Sequence, residues 1–217
     1  QVDDAGENAI LLFPGANHGM TEQSLDDCFA VTAPGDWLLA QNECNALPEV
    51  MTRAARAGLN IAFNPAPMSD AVRALPLDAC QLLFVNRGEA AWLSGLHDDA
   101  SPEALLDALA RRLPDGALVL TLGGDGAWYQ AGEQRHFQPA LPVTPRDTTG
   151  AGDTFIGYYL AALQEGAAAP ECLRRGATAA ALAVQRAGAA ESIPEAAEVE
   201  RALRDAAALH RHDQEAP

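Results

Sequence analysis

The run Asp147-Thr148-Thr149-Gly150-Ala151-Gly152-Asp153-Thr154-Phe155 sets three small residues directly before an acid. Glycine lets a backbone approach a ligand closely and turn sharply. Behind the acid, apolar Phe155, Ile156, Tyr159, Leu160 and Leu163 recur at helical spacing. A helix N-terminus offers unpaired N–H groups and roughly half a positive charge, which attract anions. An aspartate at the mouth of such a hole can take the proton of a hydroxyl that attacks a phosphoryl group. Backbone donors then hold the charge that develops on the transferred group. The other use of such an acid is as an N-cap behind a glycine loop. The full nine-residue string favours Asp153 as a general base, with Gly150, Ala151 and Gly152 as its anion hole.

Two further groupings carry chemistry more weakly. Asn86 and Glu89 follow an apolar run at the spacing of a capping box, in which Asn is the N-cap and Glu the third helical residue. Thr121-Leu122-Gly123-Gly124-Asp125-Gly126 ends another apolar run in a glycine-rich turn, which ordinary turn chemistry also explains. The histidines are scattered, and Trp37, Trp92 and Trp128 read as packing residues.

Positioning these residues requires alternating strands and helices. Ile10–Phe13, Trp37–Ala40, Asn60–Phe63, Gln81–Val85 and Ala117–Leu122 read as buried strands. Helices are expected at Ser24–Ala30, Pro48–Ala57, Glu89–Ser94 and Ser101–Arg112, the last with Ser101 as N-cap and Pro102 in its first turn. Trp128–Ala131 and Arg135–Phe137 suggest a hairpin, and helices Thr154–Glu165, Pro170–Arg186 and Pro194–His210 follow. Such alternation predicts an α/β fold, a mostly parallel sheet with helices on its faces. No linker divides the chain, so one domain over residues 1–209 is expected, with a frayed tail over 210–217.

Composition narrows the function. The 217 residues are 48% hydrophobic and carry a net charge of −16, and all 14 basic residues are arginine. An acidic surface without a basic stripe argues against nucleic acid and anionic membranes as partners. No apolar run approaches the roughly 18 residues of a membrane span, and no signal peptide is visible. Cys28, Cys44, Cys80 and Cys172 lack metal-ligand spacing and read as reduced thiols of a cytoplasmic protein.

Gly15-Ala16-Asn17, Asn64-Pro65-Ala66-Pro67, Asn86 to Glu89, Thr121 to Gly126, Asp147 to Phe155 and Ala183 to Pro194 occur in the order of segments in a known family. Together they resemble the ribokinase-like carbohydrate kinases, the phosphofructokinase-B family, and above all its ribokinase branch. The resemblance implies a ribokinase-like three-layer α/β sandwich. It implies ATP-dependent phosphorylation of a sugar primary hydroxyl, with D-ribose ahead of fructose, a keto-deoxy sugar acid or a nucleoside. A non-catalytic nucleotide-binding fragment is the alternative from another class.

By the same resemblance Asp153 is the base, and Gly150, Ala151 and Gly152 receive the γ-phosphate. Asn86 and Glu89 position magnesium and the ATP phosphates, while Thr121, Gly123, Gly124 and Gly126 meet the nucleotide. Glu43 faces the sugar. Asp147, Thr149, Ala183, Arg186, Gly188 and Ser192 match a monovalent-cation site for potassium, built largely of backbone carbonyls. Ala177 departs from the family, which often has Asn or His near the adenine. A homodimer is implied for the full-length form.

The family's N-terminal Gly-Gly motif, first strands and most of its sugar lid have no match from Gln1 onward, where residues 1–13 read as the last edge of the lid. The chain by itself is therefore expected to bind nucleotide weakly, to expose an open sheet edge and not to phosphorylate sugar.

Overall fold

The computed structural model describes residues 13–215, with side chains through residue 206. The expected lid edge and the expected strand Ile10–Phe13 lie outside the described residues except for Phe13, which is exposed and not in a strand. Contacts divide the described chain into two compact units, residues 13–122 with 128–135 and residues 123–127 with 136–215.

In the first unit, strands β1 (Trp37–Gln41), β2 (Asn60–Asn64), β3 (Leu82–Asn86) and β4 (Ala117–Thr121) lie side by side in chain order, each parallel to the next. The interiors of β2, β3 and β4 are buried. They read as continuous apolar runs because strands covered on both faces have no polar side to alternate with. β1 has one neighbour in the described sheet, and its Leu39 is 51% exposed.

Helix α1 (Glu22–Phe29) opens with a reciprocal cap between Thr21 and Ser24, so it starts two residues before the expected Ser24. Helix α2 (Leu47–Arg56) buries Leu47, Val50, Met51 and Ala54, one face at helical spacing. Between β3 and β4 come α3 (Arg87–Ser94) and α4 (Pro102–Ala110), the latter capped by Ser101 with Pro102 first in the helix, as expected. Leu105, Leu106 and Leu109 of α4 join Met51, Ile61, Phe63 and Leu118 in one core, against which Trp92 and Trp128 pack.

Strands β5 (Ala127–Ala131) and β6 (Gln134–Gln138) extend the sheet order to six. A connection as short as Gly132-Glu133 can join only antiparallel neighbours, which makes the sheet mixed.

The second unit is dominated by α5 (Ala151–Gln164), α6 (Ala169–Ala183) and α7 (Ala196–Glu215). Gly176 lets α5 and α6 meet closely: a Cβ there would lie 3.0 Å from the Phe155 carbonyl oxygen and 3.1 Å from its ring. Val199 and Leu203 of α7 pack with Ala179, Tyr158 and Leu182. Helix α6 stops at Ala183 and not at the expected Arg186. The Val184 carbonyl just past its end accepts two N–H groups from outside, those of Arg146 at 2.7 Å and Asp147 at 3.1 Å. The α7 backbone stays helical to Glu215, past His210, where a tail was expected. No described helix is long and apolar enough to cross a membrane.

Candidate active site

Asp153 lies in the first turn of α5, third residue of the helix, and not in front of it. Its role as a simple N-cap is thereby removed, because Gly150 holds that position with φ +74°, in the left-handed region that glycine enters without strain. The Gly150 carbonyl accepts the Thr154 N–H at 2.9 Å and starts the helix. The Ala151 N–H turns back to the Thr148 carbonyl at 3.2 Å. The amides of Gly152 and Asp153 fall in the turn for which the helix itself supplies no acceptor. Both residues are exposed. An exposed carboxylate thus sits beside N–H groups at the positive end of a fourteen-residue helix.

The loop before α5 is fixed by Asp147. Its Oδ1 accepts the Thr149 N–H and its Oδ2 accepts the Gly188 N–H, both at 2.9 Å. These donors, Gly188 first and Thr149 next, hold the carboxyl below the ordinary aspartate value. Of the expected cation-site residues, the structure therefore brings Asp147, Thr149 and Gly188 together directly. The others have local partners. The Arg186 guanidinium pairs with Glu198 at 2.5 Å, the Ser192 hydroxyl donates to the Ala189 carbonyl at 2.7 Å, and the Ala183 carbonyl accepts the Arg186 N–H at 2.9 Å. Ala177 is buried within α6.

In the first unit, the C-terminal ends of the four parallel strands are all polar: Gln41, Asn64, Asn86 and Thr121. Gln41 is paired in register with Asn64, and Asn86 with Thr121. This is the end of an open parallel sheet where ligands bind. Asn86 and Glu89 form the capping box anticipated from their spacing. The Asn86 side chain accepts the Glu89 N–H and a Glu89 carboxylate oxygen accepts the Asn86 N–H, each at 2.9 Å. Helix α3 consequently begins at Arg87, two residues earlier than expected.

The same Glu89 oxygen, Oε2, also receives the Asn64 amide at 3.3 Å. The Thr121 hydroxyl donates to the Val85 carbonyl at 3.4 Å. Exposed Glu43 follows β1, and its Oε2 accepts the Asn17 amide at 3.0 Å. Gln41, Asn64 and Asn17 were not singled out as site residues from sequence. Asn64 and Asn17 lie inside segments that carried the family resemblance, and that was the available signal.

In the second unit, Gly123–Asp125 form a short 3-10 turn whose two glycines are exposed with open space around them. Gly126 is different: its φ is +121° and a Cβ there would fall 2.2 Å from the Gln138 carbonyl oxygen. That close approach already requires glycine at this position. Among the described residues no three His, Cys, Asp or Glu side chains come together to hold a metal ion. The carboxylate of Glu89 suits magnesium nevertheless, since this ion keeps most of its waters and takes phosphate oxygens as ligands.

A model of the pfkB family of carbohydrate kinases matches residues 1–196. Ribokinase of Schizosaccharomyces pombe is 34% identical over 218 residues, which cover 92% of this chain and 64% of that protein. The chain thus spans less than two thirds of the length of this relative. Among solved structures, the Thermotoga maritima ribokinase superposes with a TM-score of 0.78 at 30% identity, covering 94% of this chain and 67% of that one. Arabidopsis thaliana ribokinase complexed with ribose and ATP gives 0.76 at 28% identity, covering 93% and 67%.

Proposed function

The chain belongs to the pfkB family of carbohydrate kinases, and from that premise we propose that it transfers the γ-phosphoryl group of ATP to a primary hydroxyl of a sugar, D-ribose giving ribose 5-phosphate. The observation that carries the reading is Asp153 in the first turn of α5, next to the left-handed Gly150 that opens the helix end. The choice of ribose draws on the ribokinases that the chain is similar to.

In this reaction the sugar hydroxyl oxygen forms a bond to the γ-phosphorus as the bond from that phosphorus to the β-γ bridging oxygen breaks. The hydroxyl proton passes to the Asp153 carboxylate. The first-turn amides of Gly152 and Asp153 hold the charge on the transferred group, which is where most of the rate arises in phosphoryl transfer. Thr121, Gly123 and Gly124 are assigned to the nucleotide, and Glu43, steadied by Asn17, to the sugar hydroxyls. Asn86 and Glu89 would hold magnesium through its waters, and that ion supplies charge neutralisation on the phosphates. A potassium ion fits the loop around Asp147 because that carboxyl is kept charged and the remaining ligands are carbonyls, with Thr149, Ala183, Arg186, Gly188 and Ser192 as its surroundings. A cytoplasmic homodimer completes the proposal.

The test is a coupled assay of ADP release by full-length protein with ribose, fructose and other sugars, run beside Asp153→Asn. Ribose should be the best acceptor, and Asp153→Asn should lower kcat by about 10² to 10⁴ while ATP affinity stays within about twofold. A variant retaining about a third or more of the parent rate refutes Asp153 as the base.

A further inference from the structure

We infer that Asn64 is a positioning residue, holding the Glu89 carboxylate in one orientation and, through it, the magnesium that accompanies the nucleotide. This rests on the phosphoryl-transfer reading above and assigns a task to a side chain in neither the helix nor the loop that carry the chemistry.

Asn64 is the last residue of β2 and only 8% exposed, so its amide must find partners within the protein. The partners also fix which way the amide points. Its Nδ2 lies 3.0 Å from the Phe84 carbonyl oxygen, which can only accept, so the NH₂ group faces β3. Its Oδ1 accepts the Gln41 amide from β1 at 3.0 Å. With the amide held at both ends, the second Nδ2 proton is directed at Glu89 Oε2, 3.3 Å away.

The capping box needs only the Asn86 N–H on that oxygen, and already has it. A second donor, from a different strand, is superfluous for starting α3. Its effect is on the carboxylate plane: the terminal torsion of glutamate is broad, and two donors on one oxygen select a single setting. Partners of this kind behind a metal-binding side chain commonly change affinity for the ion by about 10- to 100-fold when removed. The chain of bonds Gln41–Asn64–Glu89–Asn86 therefore spans the ends of three adjacent strands and converges on one oxygen.

The inference is tested by titrating ADP into full-length wild type, Asn64→Ala, Glu89→Gln and the double variant by calorimetry, with and without magnesium. The quantity read is the factor by which magnesium tightens ADP. Asn64→Ala should lower that factor about tenfold, leave the metal-free Kd within about twofold of wild type, and add nothing to Glu89→Gln in the double variant. A merely structural asparagine would shift both constants by one common factor, or multiply the loss in the double variant, and either result overturns the inference. Should Asn64→Ala fail to fold, Gln41→Leu is read in the same titration. A smaller loss in the same direction supports the inference, and an unchanged magnesium factor overturns it. Absence of magnesium coupling in wild type itself would instead sink the kinase reading, and the inference with it.

Discussion

The Asp147 carboxylate joins two backbone N–H groups that lie far apart in the chain, Thr149 before α5 and Gly188 after α6. Its folded-state pKa is lowered beneath the ordinary 3.8. The bonds therefore contribute stability that is full above that value and is lost as pH falls through the lower folded value. The melting temperature of wild type should exceed that of Asp147→Asn near neutral pH. The gap should narrow as the pH falls below the ordinary value and through the lower folded one, where the wild-type carboxyl too loses its charge. A gap that stays constant over this range would show that the carboxylate charge is irrelevant to the loop. The family resemblance put Asp147 among the residues of a cation site, but did not reveal its two amide contacts. Gly188 is 41 residues away, and only the return of the chain past α6 brings it near. The Asn64 contact to Glu89 was hidden for the same reason, since adjacency of β2 and β3 converts a separation of 25 residues into one hydrogen bond.

Among the elements, α5 and α6 depend on what their glycines leave out. Gly176 is buried where α6 meets Phe155 of α5, whereas Gly157, on the exposed face of α5, has nothing within 4 Å of where a Cβ would stand. Gly176→Val should cost about 1–3 kcal/mol through overpacking against Phe155, and Gly157→Ala should gain up to about 1 kcal/mol from helix propensity. Urea unfolding of both variants checks the pair, and equal effects at the two sites would refute the close approach. The strands were legible because apolar runs bounded by turn residues have few alternatives in an alternating chain. Helix starts were less so. Sequence reading began α5 after the acid, yet Gly150 can adopt φ +74° and let Ala151 and Gly152 wind into the first turn. The end of α6 was set by Arg146 and Asp147 seizing the Val184 carbonyl, a tertiary event with no local signature.

At the scale of the whole molecule, every cationic side chain is a guanidinium, because all 14 basic residues are arginine and none is lysine. Arg53 ties α2 to Asp26 of α1, Arg175 of α6 reaches Glu165 at the end of α5, and Arg186 reaches Glu198 of α7, each at 2.5 Å. The carboxylate partners raise all three arginines above their ordinary value. Their contribution is therefore present wherever a free arginine is charged and is lost only in strong alkali, as pH climbs through the raised values. The side chains left to titrate in moderate alkali are thiols and phenols. Burial pushes the Cys80 thiol up to about 12 and also raises Cys172. Most proteins shed positive charge from about pH 10 as lysine deprotonates, and this one has no lysine to shed. Its electrophoretic mobility should stay nearly level from about pH 8 to 10, and its melting temperature should hold over the same interval. A steep fall of either would mean that thiols or phenols, and not the arginine ties, govern the alkaline limit. Reagents that need a side-chain amine, such as succinimidyl esters, aldehyde fixatives and acetyl donors, would find no target in its folded surface.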